Sequence, residues 1–337
     1  MNHPQHSTVP AADNKTAPRV AVIVPAYGVA HLLGDALSSL QAQTLRDWEC
    51  VVVDDGAPDD VAGAVAPFLE DARITFLNTD NGGVSAARNR AIAHCSAPLI
   101  TLLDGDDMLR PEYLATMTAA LEDDSDARLV TCNARIFGAV PQERPCFTGK
   151  QGKGDGQHGS LSDVLDRSFG IYIGSTFRRN DFDAVGGFDT TMTHAEDFDF
   201  WVRLVLLGGH ALYMDEVLAD YRVRGNSASA SAINMFKGNI RVCEKALHTL
   251  SPDTPEARVA QAMIAENARQ LRFEQAVDRV IDGDRQAIAD LRETRGAQQG
   301  AAWDAAFLLW RAFPGLAAPL LMRRRAENAR GAAQKAG

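Results

Sequence analysis

The sequence contains no apolar run of the roughly 20 residues that a helix needs to cross a bilayer. The nearest stretch, residues 303–325, is interrupted by charged residues and by prolines. We expect it to form terminal helices that pack on the rest of the protein. The alternative is a peripheral contact with the inner face of the cell membrane, with Trp303 and Trp310 at headgroup depth and the arginines at 323–325 facing anionic lipid.

Cysteine and positive charge are also scarce. The five cysteines are scattered and form no CxxC pair, which favours reduced thiols in the cytoplasm and argues against a disulfide framework or a structural zinc site. The formal net charge of −10 argues against general binding of nucleic acid, because lysine and arginine must neutralise its phosphates. The first eighteen residues lack the apolar segment of a signal peptide, and we expect residues 1–18 to be a disordered tail.

The first half of the chain alternates short apolar runs with helical patterns. The runs predict buried strands, the helical spacing predicts the segments between them, and this order implies a parallel sheet covered on both faces through right-handed crossovers. The predicted strands are residues 20–24, 50–56, 74–78 and 98–103, and the predicted helices are residues 32–43, 61–69 and 84–95.

The second half is less regular. A glycine-rich stretch at 147–160 predicts a flexible loop or lid, and short strands are expected at 171–173 and 211–214. A helix is expected at 196–207, followed after residue 231 by a helical, alanine-rich region with a break at 251–255. These patterns divide the chain into a tail (1–18), a catalytic-type domain (19–231) and a helical extension (232–337).

Aspartates follow two of the predicted strands. Asp54 and Asp55 end the second strand, and three aspartates within 104–107 end the fourth. Ligands bind at this edge of such sheets, near the point where the strand order reverses. Crowded carboxylates repel one another, and Mg²⁺ or Mn²⁺ would offset that repulsion. An acidic turn in solvent is the alternative interpretation.

Six motifs carry a resemblance to a known family: "VAVIVPAYG", "WECVVVDDGA", "NGGVSAARNRAI", "LLDGDD", "VGGFD" and "AEDFDFWVRL". Over about residues 19–225 the chain resembles the family 2 glycosyltransferases, inverting enzymes of the GT-A fold. The resemblance implies an α/β fold with a Rossmann-like, mixed and mainly parallel sheet flanked by helices, here followed by a C-terminal α-helical extension. It also implies transfer of a sugar from a nucleotide-diphosphate sugar, foremost a UDP-sugar, to a glycan or lipid-linked acceptor in surface polysaccharide or glycoconjugate synthesis.

The resemblance assigns the donor side of the site. Asp106 would contact the divalent metal as part of a DxD motif, and Asp104 would contact the donor's ribose or sugar or help to hold the ion. Gly105 is expected to permit the tight turn between them. Arg88 would lie near the donor and pair with phosphate or with Asp104. An arginine that pairs with a surface acid is the alternative for Arg88.

The nucleoside pocket would come from the ends of the first two strands. Pro25 and Tyr27 would line it, with Tyr27 stacking on the base or, alternatively, serving as a packing aromatic. Asp54 would accept a hydrogen bond from the base, and Asp55 would share that role or fix the turn. Gly28 and Ala57 replace the Asn and Ser that the family often has, which leaves the base open.

The acceptor side begins with the helix at 196–207. The resemblance makes Asp197 the general base, whereas Glu196 would orient or bind the acceptor, and acids at a helix start are also favoured by the helix dipole. Gly187 would line the acceptor side. Arg224 stands where the family often has His, so it would pair with diphosphate rather than ligate a metal.

Three other functions are alternatives. A sugar-nucleotide pyrophosphorylase shares the sheet, but "PAYGVAH" lacks its Gly-rich basic loop. A receiver-type signalling domain would leave the acidic helix at 196–207 unexplained. A catalytically inactive glycosyltransferase-like binding protein would not be expected to keep both Asp106 and Asp197.

Overall fold

The structure is a computed structural model that describes residues 17–148, 157–224, 232–296 and 300–325. The disordered tail predicted at 1–18 lies outside these residues except for its last two positions. Most of the loop predicted at 147–160 also lies outside them, and its final residues form a short strand.

Four parallel strands form the first half of the sheet, as predicted. They are β1 (Val20–Ala26), β2 (Trp48–Asp55), β3 (Ile74–Thr79) and β4 (Leu99–Leu102). Their spatial order is β3-β2-β1-β4, so the order reverses between β1 and β4. Ligand sites form at such a reversal, beside the carboxyl ends of the strands.

Helices cover both faces of these strands. The helices α1 (Ala30–Gln41), α2 (Val61–Val65) and α3 (Val84–Ala93) follow β1, β2 and β3. The α2 helix is shorter than predicted, because Pro67 brings a 3-10 turn at residues 66–68. The leucines of α1 recur at helical spacing and are fully buried against one face of the sheet: Leu33, Leu37 and Leu40.

The second half of the sheet is mixed. It adds β5 (Met108–Leu109), β6 (Ala127–Gly138), β7 (Arg144–Pro145), β8 (Gln157–Gly159), β9 (Thr176–Arg178) and β10 (His210–Val223). The order continues β4-β9-β6-β10-β5, with β9 antiparallel to both neighbours and β10 parallel to β6. The mixed, mainly parallel sheet is therefore confirmed.

The strand predicted at 171–173 is wrong, because the antiparallel strand β9 forms farther along the chain. The backbone N–H of Tyr172 instead donates to the hydroxyl of Thr131, 2.9 Å away, and the Tyr172 side chain is buried. The apolar pattern of 171–173 thus reflects packing against the sheet rather than pairing within it.

The remaining helices are α4 (Tyr113–Asp123), α5 (Leu161–Leu165), α6 (Arg179–Val185), α7 (Glu196–Leu206), α8 (Ala232–Thr249), α9 (Pro255–Ile281), α10 (Ala287–Thr294) and α11 (Ala301–Ala312). The helix predicted at 196–207 is confirmed as α7. The predicted break at 251–255 is also confirmed, and the Thr254 hydroxyl caps α9 by accepting from the Ala257 N–H at 3.2 Å.

The last helices have a small core of their own. Phe273, Leu291, Phe307, Trp310 and Leu321 meet there. Trp310 is only 3% exposed, so the headgroup position considered for it is wrong. Among the described residues, no helix is long and apolar enough to cross a membrane.

Candidate active site

A cleft of about 820 Å³ lies at the carboxyl ends of β1, β2 and β4. Nine of the eleven site residues predicted from the sequence line it: Pro25, Tyr27, Asp55, Arg88, Asp104, Asp106, Glu196, Asp197 and Arg224. A second depression, of about 600 Å³, lies between α9 and α10 and is lined by none of the eleven. Five of the six motifs, which are dispersed in the sequence, therefore share one cleft.

Arg88 connects the two acidic groups of this cleft. It projects from α3, and its guanidinium contacts Asp104 Oδ1 at 3.0 Å and Glu196 Oε1 at 3.1 Å. Burial opposes the charge on Arg88, but Asp104, Glu196 and Asp197 raise its pKa, so it stays cationic. The predicted Asp104 contact is present, and the contact with Glu196 could not be read from spacing because it joins residues 108 positions apart.

A second arginine contacts the DxD segment. Arg224 Nε lies 2.6 Å from Asp106 Oδ2. Burial and the neighbouring Asp104 raise the pKa of Asp106, and Arg224 opposes that rise. Arg224 therefore lies at the carboxylate predicted to contact the metal.

Asp107 holds the acidic turn at residues 104–107 in place by hydrogen bonds. It is fully buried, and its two oxygens accept hydrogen bonds from the Tyr172 hydroxyl at 2.9 Å and the Arg222 N–H at 2.8 Å. Burial, with Asp104 and Asp106, raises the pKa of Asp107 well above its ordinary value. No role could be predicted from the sequence for Asp107, Tyr172 or Arg222. The signal for Asp107 in the sequence was its place as the third acid of "DGDD".

Gly105 serves close packing rather than the backbone freedom expected of it. The φ of Gly105 does not lie in the left-handed region. A Cβ at this position would lie 3.0 Å from Val29 Cγ2 and 3.2 Å from the Pro25 carbonyl oxygen. A glycine therefore lets the acidic turn approach the end of β1.

The α7 helix presents the acid pair to the cleft. Ala195, which precedes the helix, has a left-handed φ of 58°, an uncommon conformation for a residue with a side chain. Asp197 Oδ1 accepts the Phe198 N–H at 2.7 Å. Burial and the adjacent Asp197 raise the pKa of Glu196, against the opposing effect of Arg88.

Asp55 holds the turn that precedes α3. Its carboxylate accepts the N–H groups of Gly82 and Gly83 at 2.9 and 2.8 Å, and Arg90 contacts it at 3.2 Å. Of the two roles left open for Asp55, this placement matches fixing a turn. Because Asp55 engages both N–H groups, they are not available to a phosphate.

Two predicted residues do not line the cleft. Asp54 Oδ1 accepts the Ala57 N–H at 2.8 Å, which turns this carboxylate into the loop after β2. Gly187 is buried, and its carbonyl oxygen accepts a hydrogen bond from Arg203 at 2.7 Å. The positions of Asp54 and Gly187 therefore give no support to a direct role in nucleoside or acceptor binding.

Tyr27 is 55% exposed and lines the cleft near its rim. The loop beneath it is fixed by Asp59, whose carboxylate accepts the N–H groups of Gly28 at 3.0 Å and Ala30 at 2.7 Å. The structure thus presents the ring of Tyr27 to solvent rather than packing it.

Comparison with known sequences gives a family match for the first half of the chain. Residues 21–186 match the model described as glycosyl transferase family 2. Glycosyltransferase GlyA of Streptococcus pneumoniae is 37% identical over 100 residues, which are 29% of this chain and 14% of that protein. The uncharacterized glycosyltransferase RP339 of Rickettsia prowazekii is 25% identical over 231 residues, 66% of this chain and 70% of the relative. The match to GlyA thus covers a small part of that longer protein.

Solved structures share the fold. S. aureus TarS (residues 1–349), in complex with UDP-GlcNAc, superimposes with a TM-score of 0.62 at 16% identity, over 81% of this chain and 84% of that one. A mannosyltransferase of Pyrobaculum calidifontis, in complex with GDP-Man and Mn²⁺, gives 0.60 at 20% identity, over 94% and 86%. Both are glycosyltransferases, and the GT-A fold expected from the sequence is confirmed.

Proposed function

This chain carries a family 2 glycosyltransferase domain, and we propose that it transfers a sugar from a nucleotide-diphosphate sugar to an acceptor hydroxyl with inversion at the anomeric carbon. The observation that carries the proposal is the bridge made by Arg88. One buried guanidinium contacts both Asp104 and Glu196, so the donor-side acids and the α7 acids lie within the span of one sugar nucleotide.

Asp197 is the proposed general base. It lies in the cleft beside Glu196, at the start of α7, and one of its oxygens is held by a backbone N–H. Removal of the acceptor's hydroxyl proton by this carboxylate lets the oxygen displace the nucleoside diphosphate in one step. A single displacement inverts configuration and requires no covalent intermediate. Glu196, held by Arg88, orients the acceptor.

The donor is proposed to lie along β1 and the acidic turn. The exposed ring of Tyr27 offers a face for the base, as nucleobases stack on aromatic side chains. Arg224 lies at the acidic turn, where its guanidinium can pair with diphosphate. A UDP-sugar is the favoured donor, and the binding of UDP-GlcNAc by TarS, which shares this fold, supports that choice.

The acidic turn fits a divalent cation. Arg88 contacts one oxygen of Asp104 and Arg224 contacts one oxygen of Asp106, so each carboxylate can offer its second oxygen. Carboxylate oxygens are the ligands that Mg²⁺ and Mn²⁺ prefer. Asp106, with Asp104, is the proposed holder of the ion, which when bound would neutralise charge on the departing nucleoside diphosphate.

The acceptor is proposed to be a glycan or a lipid-linked sugar of surface polysaccharide or glycoconjugate synthesis, reached at the inner face of the membrane. Several apolar side chains near the C-terminus are exposed, and this apolar surface comprises Leu308, Phe313, Leu316, Leu320 and Met322. Arg311 and Arg323 are exposed in the same segment. This combination suits a peripheral contact with anionic lipid.

Two substitutions separate donor binding from chemistry. We expect Asp106→Asn to abolish Mn²⁺-dependent binding of UDP, measured by calorimetry. We expect Asp197→Asn to bind UDP within about twofold of wild type but to lose roughly 10²–10⁴-fold in donor hydrolysis and transfer, the usual contribution of a general base. UDP-, GDP-, dTDP- and CMP-sugars should be screened first by thermal shift.

Asp183→Asn is the matched control, since Asp183 is an exposed aspartate on α6 outside the cleft. Normal turnover in Asp197→Asn would refute the assignment of the base. Release of sugar 1-phosphate with pyrophosphate present would instead identify a pyrophosphorylase. Donor binding without hydrolysis or transfer by the wild-type protein would identify a binding protein.

A further inference from the structure

We propose that Asp124, His158 and His210 form a binding site for a divalent transition metal of the zinc type, away from the donor cleft. Asp124 follows α4, His158 lies in β8 and His210 begins β10. None of the three lines the cleft. Their potential ligand atoms lie within 4.8 Å of one another. No motif described above includes them.

The distances suit one shared ion. Asp124 Oδ2 lies 2.9 Å from His210 Nε2 and 3.7 Å from His158 Nε2. Zinc bonds of roughly 2.0–2.2 Å to nitrogen and oxygen place neighbouring ligands of a tetrahedral site about 3.3–3.5 Å apart. The two observed distances lie on either side of that value.

The carboxylate is fixed before any ion binds. Asp124 Oδ1 accepts the N–H groups of Asp126 at 3.0 Å and Ala127 at 3.1 Å. Because these bonds occupy Oδ1, the Oδ2 atom is directed to the histidines. The backbone of His210 is held as well, since the backbone N–H of His210 donates to the Asp126 carbonyl oxygen at 3.2 Å.

The two histidines come from paired strands. His158 stands opposite Leu212 in the antiparallel pairing of β8 with β10, which brings it beside His210. The imidazole rings stack, with centroids 3.8 Å apart and an interplanar angle of 16°. His158 is the more exposed, at 57% of its side chain, so it can rotate to direct Nε2 at an ion that His210 and Asp124 already face.

The ligand atoms of this cluster decide which class of metal it suits. Two neutral imidazoles and one carboxylate suit zinc, nickel or copper, whereas Mg²⁺ prefers oxygen ligands alone. The cysteine pattern argued against a structural zinc site, but this cluster contains no cysteine. A simple His–Asp ion pair would need only His210, whereas the second imidazole beside the carboxylate is what a metal site requires.

Such an ion would connect β8, β10 and the end of α4. It would lie outside the donor cleft, so its role would be structural, and the proposal does not depend on the proposed function. Water would complete the coordination, as three protein ligands leave a tetrahedral position open.

The test uses untagged full-length protein carrying Asp106→Asn, which removes the metal position of the cleft. We expect one equivalent of Zn²⁺ to remain after gel filtration, measured by elemental analysis. We also expect thermal unfolding to shift upward with Zn²⁺ but not with equimolar Mg²⁺, because an ion that binds only the folded state stabilises it. Co²⁺ should give the visible absorption of imidazole ligation.

His158→Ala and His210→Gln should each weaken Zn²⁺ binding at least tenfold. The exposed His31 on α1 provides the matched control, so His31→Ala should bind as the parent does. His158 is largely exposed, which makes His158→Ala informative even if His210→Gln folds poorly. Unchanged Zn²⁺ affinity in His158→Ala, or no preference for Zn²⁺ over Mg²⁺ in the parent, would overturn the site.

Discussion

At the scale of single residues, the contact between Arg224 and Asp106 joins the acidic turn at residues 104–107 to a cation that follows β10. The guanidinium lies 2.6 Å from the carboxylate proposed to hold the metal. An arginine cannot ligate a cation, but it can neutralise a carboxylate and pair with phosphate. We therefore expect Arg224 to compete with a bound metal for Asp106 and to attract the diphosphate of a bound donor.

Arg224→Gln should separate these two effects. Without the guanidinium, Asp106 is more available, and we expect Mn²⁺ to bind about tenfold more tightly, equivalent to about 1.4 kcal/mol. Binding of UDP in the presence of EDTA should weaken, because a cationic partner of the diphosphate is lost. Calorimetric titration with Mn²⁺ and with UDP measures both quantities.

The exposed Arg258 of α9 is the control position for that experiment, and Arg258→Gln should leave both affinities unchanged. Equal Mn²⁺ affinities in Arg224→Gln and the wild type would show that Arg224 does not compete with the ion.

Residues differ in how far the sequence reveals them. Asp104 and Asp106 could be predicted because a buried strand ends immediately before them. Asp107 lies in the same four-residue stretch, yet its role depends on Tyr172 and Arg222, which are distant in sequence. A side chain whose partners come from other elements carries no local signature of its function.

At the scale of elements, the first turn of α7 is positioned by α8. Gly238 of α8 is buried beside the residues that precede α7. A Cβ at this position would lie 2.7 Å from the His194 carbonyl oxygen and 3.0 Å from Ala195 Cβ. The backbone of α8 thus lies directly against the left-handed residue that starts the acidic helix.

Gly238→Ala should displace that turn. Since the clash is with backbone, either α8 or the 194–195 segment must move, and we expect turnover to fall roughly tenfold while UDP affinity changes less than about twofold. A misplacement near 1 Å can cost more than this in a positioned active site. Kinetics with saturating donor, together with calorimetry, measure the two effects.

Gly34 of α1 is the matched control, because a Cβ there would meet no atom within 4 Å. Gly34→Ala should keep wild-type turnover and gain up to about 1 kcal/mol of stability from helix propensity. Wild-type turnover in Gly238→Ala would show that α8 does not position the acids.

The first four strands and the helices between them could be predicted from local pattern, whereas β5 to β9 and α4 to α6 were not predicted and the strand expected at 171–173 is wrong. The strands β1 to β4 are continuous apolar runs because both of their faces are covered. By contrast, the segment at 171–173 is equally apolar but lies beside the sheet, and apolar character alone does not distinguish pairing from packing.

At the scale of the whole molecule, charged contacts join the helices after residue 231 to the elements that precede them. Lys245 of α8 contacts Asp199 of α7 at 2.5 Å and Asp189 at 2.8 Å. Burial alone would raise the pKa of Asp189, but hydrogen bonds from Lys245 and Thr191 outweigh it and lower that pKa well below the ordinary value. The region after residue 231 therefore packs against α7 and the segment that precedes it.

The apolar surface at the C-terminus predicts binding to lipid vesicles. We expect the full chain to sediment with vesicles containing phosphatidylglycerol but not with phosphatidylcholine alone, since exposed apolar and cationic side chains act together at anionic interfaces. Leu316→Asp should reduce the bound fraction several-fold at equal lipid.

Leu69 provides the matched control for exposure, since Leu69 and Leu316 are both 45% exposed. Leu69 lies far from the C-terminal helices in sequence, so the Leu69→Asp variant should bind vesicles as the wild type does. Equal loss in both variants, or equal binding to neutral and anionic vesicles, would contradict a specific contact through the C-terminal helices.

The order of amino acids alone decides where strands and helices form and which acids stand at the strand ends, because apolar periodicity and residues such as proline act over a few positions. Tertiary packing decides that Arg88 bridges two acidic groups, that Arg224 meets Asp106 and that Gly238 supports α7. These outcomes depend on side chains from distant segments meeting in a buried space, and such meetings leave no trace in local sequence.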